Sequence, residues 1–451
     1  MKTIDAYDLV VCGAGLAGSM AATAAARMGA SVLVIEEEGY PGGSMTACGT
    51  GPMMTFHAGE KQVIRGLTDE MVSRLVQKGL SPGHTVDSTG YTYTVTPFSA
   101  EGMKRELETM MTEAGAALLY HTVITGVALR DGLLERLTCF SCGETFEVTG
   151  RVFIDATGDG DVLAMAGVPF EKGRPGDHRD QPMTMNFKVG GVNTQAIRDL
   201  METNPQLFPF LYPKAGVQRE ASRLSFSGFE QAMREARENG EISFDRDIVL
   251  CFETDAPGEM IVNMSRINGE DPVEPFSLSR AETKGRRQVW ELLAFLKKHI
   301  PGFENARLLS SGPRVGARSS RRMVGEYTLT ADDVLSERRF EDGVAAFGYP
   351  IDIHSSDGAD TNSRFLRSGG YYTIPYRCLL NAAVPNLMAA GRNISCTFEA
   401  QASTRLSPCC GAVGHAAGAA AALAIQQSVL PRQVDAAALR ELLKSQNAVV
   451  D

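Results

Sequence analysis

Three glycines at a fixed spacing carry the first chemistry in this chain of 451 residues: Gly13-x-Gly15-x-x-Gly18. Before them runs Tyr7-Asp8-Leu9-Val10-Val11-Cys12, after them an Ala-rich stretch to Met28 and a stop at Gly29, and then Ser31 to Ile35 ending on the acid Glu36. Strand, tight turn, helix and second strand make a βαβ unit, with an acid about twenty residues past the first glycine. Gly13 allows the turn, Gly15 lets a pyrophosphate approach the backbone, and Gly18 lets the helix pack on its strand. The diphosphate then sits on a helix N-terminus and Glu36 accepts from ribose hydroxyls. This stretch predicts a dinucleotide site.

Other residues with chemical potential lie far apart. Pro41-Gly42-Gly43-Ser44 follows Glu36 closely, and its small side chains leave backbone amides open to a phosphate or a ring. Asp155-Ala156-Thr157-Gly158-Asp159 ends an apolar strand in a second small-residue turn. Arg314, Arg318, Arg321 and Arg322 are clustered in an otherwise acidic chain, where guanidinium groups can hold a substrate carboxylate or neutralise a reduced ring, or simply form a solvated face. His354 and tyrosines such as Tyr372 are the acid–base candidates. Cys139-x-x-Cys142 has no companion pair, so it reads as a turn with incidental cysteines, and no metal site is expected.

The elements that position these groups follow from pattern. A helix is expected over 97–115, with Ser99 as N-cap and Glu101, Lys104 and Glu106 on a solvated face. An alternating strand over 116–127, a hairpin at Asp131-Gly132 and two further apolar runs give an antiparallel meander. Residues 386–393 read as a strand ending in a glycine turn, and Gly411 as the start of a long Ala-rich helix. The fold class expected is α/β: a discontinuous nucleotide-binding domain over 1–168 and 375–451, with parallel sheet and meander, plus an α+β substrate or cap domain inserted over 169–374.

A net charge of −10 argues against nucleic acid as the main partner. No apolar run of membrane-spanning length is expected, and the N-terminal stretch reads as structure rather than as a signal peptide. Nine scattered cysteines fit a reducing, cytoplasmic setting. A small-molecule substrate is the expected partner, and homo-oligomerisation stays open.

The order Gly13-Ala14-Gly15-Leu16-Ala17-Gly18, Glu36-Glu37-Glu38-Gly39-Tyr40-Pro41-Gly42-Gly43, a meander and Asp155-Ala156-Thr157-Gly158-Asp159-Gly160-Asp161 resembles the FAD-dependent oxidoreductases of the glutathione-reductase-like, two-dinucleotide-binding-domain superfamily, distantly similar to fumarate-reductase-like flavoproteins. Asp352-Ile353-His354, Ile374-Pro375-Tyr376-Arg377-Cys378-Leu379, Gly391-Arg392-Asn393 and Gly411-Ala412-Val413-Gly414 continue the likeness. It implies FAD as cofactor, near Gly13, Ala14, Gly15, Ala17, Gly18, Glu36, Glu37, Gly42, Gly43, Ser44, Val123, Ala156, Thr157, Gly158, Asp159, Gly391, Arg392, Gly411 and Gly414. It places His354, Tyr372, Arg318 and Arg322 on the substrate side. The activity implied is hydride transfer between flavin N5 and a small oxygenated or anionic organic substrate, with a flavin monooxygenase or a non-catalytic electron-transfer protein as alternatives. Trp290 is the only tryptophan, against a tryptophan-halogenase type, and no second glycine motif marks an NAD(P)H domain, so the electron donor or acceptor stays unnamed. Cys48 and His57 stand where a covalent link to the cofactor is open to test.

Overall fold

The computed structural model describes residues 2–209 and 216–451. Strand β1 (Lys2–Cys12) carries a fully buried apolar run, Leu9 to Cys12, because it is flanked on both sides by parallel partners. Helix α1 (Leu16–Arg27) returns the chain to β2 (Val32–Ile35), completing the βαβ unit. Helix α2 (Ala100–Glu113) starts where Ser99 caps it, its hydroxyl accepting from the Gly102 N–H at 3.2 Å. Glu106 departs from the expected solvated face. It is fully buried and paired with Lys78, because that face of α2 packs on the core.

The run expected as one strand breaks at His121, whose φ is 50°, into β3 (Ala117–Leu119) and β4 (Val123–Arg130). β4, β5 (Leu133–Ser141) and β6 (Glu144–Asp155) form the meander, with both turns, Asp131-Gly132 and Cys142-Gly143, in positive φ. Cys139 is buried and Cys142 exposed, so the C-x-x-C is a hairpin turn, and all nine cysteines are free.

Sheet order is β3-β2-β1-β6-β5-β4. On the edge away from β1, the long β6 serves two partners, pairing antiparallel with β5 through Glu144–Thr149 and parallel with β12 (Leu387–Ala389) through Phe153–Asp155. Before that late strand, a second, wholly antiparallel sheet forms from β7 (Phe187–Gly190), β8 (Ser225–Gly228), β9 (Val249–Glu253), β10 (Met260–Val262) and β11 (Arg307–Ser311), in the order β8-β9-β10-β7-β11. Helix α3 (Pro275–His299) packs its buried face into the same core.

That second core runs from Met183 to Val315, whereas Met323, Leu329, Val334, Phe347, Tyr372 and Ile374 join the first. The two buried cores therefore divide near residue 320. The last long helix, α4 (Ser407–Gln427), begins four residues before the expected Gly411. Side-chain atoms on Gly414 and Gly418 would overlap the carbonyl oxygens of Ala17 and Ala21, so the two Ala-rich helices α1 and α4 cross backbone to backbone. Contrary to expectation, α4 is long and apolar enough to cross a membrane, but 89% of its apolar window is buried inside the protein.

Candidate active site

The parallel strands end in turns that face one cavity of about 810 Å³, within the range of cofactor and ligand pockets. Gly13 holds φ 98°, and a Cβ there would stand 2.6 Å from the Ala156 carbonyl oxygen, so the turns after β1 and β6 meet without intervening side chains. Gly15 faces the cavity, with only the Gly43 Cα, at 3.9 Å, near a built Cβ. As N-cap of α1 it offers no side-chain cap, which leaves first-turn N–H groups for an anion. The Gly42 N–H donates to the Ala14 carbonyl at 2.9 Å and brings Gly43 and Ser44 to the same wall.

Glu36 lies at the end of β2, its carboxylate accepting from the N–H groups of Ala14 at 2.6 Å and Glu38 at 2.9 Å. Burial raises its pKa against those two donors. In the turn after β6, Asp155 is fully buried and accepts from the Thr157 N–H and hydroxyl and from the Leu163 N–H at 2.7–3.0 Å. Desolvation pushes its pKa up to about 6 in spite of these bonds. Arg392, from the turn after β12, bonds the Gly158 carbonyl at 3.0 Å, the Ala317 carbonyl and the Asp159 carboxylate, tying three distant segments together. The N-terminus of α4 also enters the wall through Leu406, Ser407 and Cys410.

The far half of the cavity is polar and cationic. Arg246, Arg318 and Arg405 line it with Asp352 and His354. His354 Nε2 lies 3.4 Å from Asp352 Oδ2, and its Nδ1 lies 3.2 Å from the Thr361 hydroxyl. Burial and the Arg318 charge push the imidazole down to about 3, so it is neutral beside an ionised carboxylate. Burial opposes ionisation of Asp352, but His354, Arg405 and Arg318 outweigh it and hold this acid below the usual range. Tyr91 donates to Ser363, which in turn reaches Asp352 Oδ1 at 3.4 Å.

A family model described as FAD dependent oxidoreductase matches residues 8–443. The chain belongs to that family. FAD is its cofactor, and the protein is a nucleotide-binding, Rossmann-like flavoprotein. Among curated relatives, digeranylgeranylglycerophospholipid reductase 1 of Methanococcoides burtonii is 27% identical over 164 residues, which is 34% of this chain and 38% of that protein. A soluble pyridine nucleotide transhydrogenase of Hahella chejuensis is 45% identical over 65 residues, 14% of each. The matches thus span well under half of these relatives. Among solved structures, p-nitrophenol 4-monooxygenase of Pseudomonas putida shares the fold at a TM-score of 0.50 and 10% identity, covering 100% of this chain and 88% of that one. A geranylgeranyl bacteriochlorophyll reductase-like protein of Thermoplasma acidophilum gives 0.48 at 14% identity, covering 98% and 84%.

The turns fit FAD. An uncapped helix N-terminus beside Gly15, Gly42 and Gly43 suits a pyrophosphate, and Glu36 keeps lone pairs for a ribose. Gly13, Gly15, Ala17, Glu36, Glu37, Gly42, Gly43, Ser44, Val123, Ala156, Thr157, Gly158, Asp159, Gly391 and Arg392 all line the cavity. Ala14 supports it through its backbone. Gly18, Gly411 and Gly414 stand elsewhere: Gly18 packs on Gly13, Gly411 on Thr68, Gly414 on Ala17, each a close helix contact.

Two expected substrate-side residues are also core residues. Tyr372 is fully buried, its hydroxyl 2.8 Å from that of Ser403 and its ring edge-on to Phe347. Arg322 is 1% exposed and bonds the carbonyls of Cys396 and Gly173 at 3.1 Å, because the short strand that carries it turns it inward. Arg246, Arg405 and Tyr91, which the sequence does not single out, line the cavity together with Tyr349 and Asp352 from the stretch that carries His354. One signal was present for Arg405: Pro408, at the first turn of α4, marks the true helix start just after it. Cys48 lines the cavity, its thiol pushed up to about 12 by burial and bonded to the Val315 carbonyl at 3.4 Å, while His57 bonds Thr94 away from the wall.

Proposed function

We propose that this oxidoreductase moves a hydride between FAD and a small anionic organic substrate held by Arg318 and Arg405 beside the Asp352–His354 pair. The observation that carries the reading is that one cavity joins the glycine turns to these four side chains. Bound FAD supplies a two-electron hydride donor or acceptor at N5.

The chain's own residues supply the rest. Arg318 and Arg405 orient an anionic group and keep it in register with the ring. Neutral His354, aligned by Asp352 and Thr361, accepts the proton that leaves the substrate heteroatom as the hydride leaves its carbon, and the imidazolium so formed returns that proton in the reverse direction. The buried Tyr349 hydroxyl, 3.4 Å from Asp352 Oδ2, fixes the carboxylate and helps keep water from it. A cavity that continues from the glycine turns to Arg318, Asp352, His354 and Arg405 supports catalysis over exchange of electrons with a partner protein across an exposed ring edge. Electrons then pass to or from dioxygen, a quinone or a small carrier.

Anaerobic mixing of the FAD-loaded protein with a panel of organic acids, followed by the visible flavin band, tests the reading. Bleaching by an acid, reversed by an electron acceptor, is expected. A hydroxylated product formed only with dioxygen and an external reductant identifies a monooxygenase instead, and failure to retain FAD removes both.

A further inference from the structure

The substrate half of the cavity changes character along one strand. In β9, Val249 and Cys251 enter the second core, whereas Leu250 and Phe252 face the cavity, with Ile248 just ahead of them. This is the period-two alternation of a strand with one face on a core and the other on a pocket. From Ile248 to Phe252 the apolar floor runs about 13 Å, and Val273 and Leu278 add apolar wall.

Two residues before Ile248 stands Arg246, which also lines the cavity and is 5% exposed. Its one hydrogen bond among the described residues runs from Nε to the Ile248 carbonyl at 3.0 Å, and no carboxylate of the described residues forms an ion pair with it. Arg318 uses Nη1 on the Pro182 carbonyl, at 2.6 Å, and on the Thr184 hydroxyl. Arg405 keeps a buried Nε with no partner among the described residues, donates from Nη2 to the Asp352 carbonyl at 3.4 Å, and shares the Asp352 carboxylate, at 3.7 Å, with His354. Three guanidinium groups thus line this end with one buried carboxylate, Asp352, which pairs with Arg405 alone among them, while Asp247 and Asp360, also in the wall, are exposed. Burying a cation without its counter-ion is costly, so this end is built for a further anion.

We propose that the substrate is an amphipathic organic anion, with its charged head held by Arg246, Arg318 and Arg405 and its apolar body laid on Ile248, Leu250 and Phe252. The inference rests on the reading of this cavity half as the substrate side of the flavin site. A carboxylate and a phosphate head share the required chemistry, since either accepts two parallel N–H bonds from arginine.

Calorimetric titration of the FAD-loaded protein tests it, with octanoate, octyl phosphate, acetate, inorganic phosphate and 1-octanol as probes. Octanoate or octyl phosphate is expected to bind at least tenfold more tightly than acetate, inorganic phosphate and 1-octanol, and the better of the two identifies the head group. Arg246→Met is expected to weaken that binding at least tenfold, and Phe252→Ser to weaken the long-chain probe while leaving acetate unchanged. Arg405→Met replaces Arg246→Met should the latter lose its FAD absorbance. Equal binding of 1-octanol and octanoate, equal binding of acetate and octanoate, or full affinity in the arginine variants overturns the proposal. Because FAD loading is read first, from absorbance, loss of the cofactor site is distinguished from loss of the anion site.

Discussion

The Ala14 N–H donates to Glu36 Oε2 at 2.6 Å, so the acid that ends β2 also braces the turn that ends β1. The second oxygen does the same for the Glu38 N–H at 2.9 Å. Glu36→Gln places an amide NH₂ against one of these donors. The expected result is at least a tenfold loss of FAD affinity, about 1.5–3 kcal/mol for a charged hydrogen bond, measured by titrating apoprotein with FAD and following flavin fluorescence.

Two glycines separate cofactor chemistry from packing. A methyl group on Gly15 meets only the Gly43 Cα at 3.9 Å, so Gly15→Ala is expected to fold normally and to lose FAD affinity. On Gly414 the same methyl overlaps the Ala17 carbonyl, so Gly414→Ala is expected to destabilise by about 1–3 kcal/mol. Urea midpoints with FAD titrations check both, and reversal of the two phenotypes refutes the assignment.

Acid sensitivity follows from buried histidines. Burial lowers His415 from 6.5 to about 4, with its Nε2 2.6 Å from Gln446 Oε1. The unfolded chain binds the proton in that window and the folded chain does not, so this stability is complete above pH 6.5 and is lost as pH falls toward 4. Asp155, raised to about 6, acts in the opposite sense below that pH, so the variant is compared with the parent. His415→Gln is expected to flatten the stability–pH slope between these limits by up to about 1.4 kcal/mol per pH unit, measured as urea midpoints. His354, lowered to about 3, predicts that kcat/KM shows no limb from this imidazole near pH 6.5.

Tyr372 belongs to the core. Tyr372→Phe removes the 2.8 Å bond to Ser403 and is expected to cost about 0.5–1.5 kcal/mol. Flavin binding and the rate of flavin bleaching are expected to stay unchanged. A large loss of rate at full stability places this phenol in the chemistry after all.

What the sequence made legible was local. The glycine turns and the hairpin residues write their geometry into a few neighbouring positions, and Gly13, Gly42, Gly43, Gly158, Asp131-Gly132 and Cys142-Gly143 all hold positive φ. Arg246, Arg405 and Asp352 come from the loop that enters β9, the turn just before α4 begins and a short hairpin strand, and only tertiary packing brings them together. Tyrosines carry no local mark of which face they occupy: Tyr349 lines the cavity, whereas Tyr372 is in the core. Gly411 and Gly414 are expected near FAD but pack on Thr68 and Ala17, because a close crossing of two helices calls for the same small residues as a helix end that faces a cofactor.

The split pairing of β6 sets the timetable of assembly. Its C-terminal half waits for Leu387–Ala389, more than two hundred residues downstream, and Arg392 and Ser407 arrive later still. Contacts so distant along the chain form slowly. On the ribosome, the first βαβ unit and the meander emerge early with a nucleotide cradle open on one side. Capture of the cofactor therefore waits for the segment from Leu387 to Ser407, and a ribosome stalled before residue 387 is expected to display a nascent chain that stays colourless.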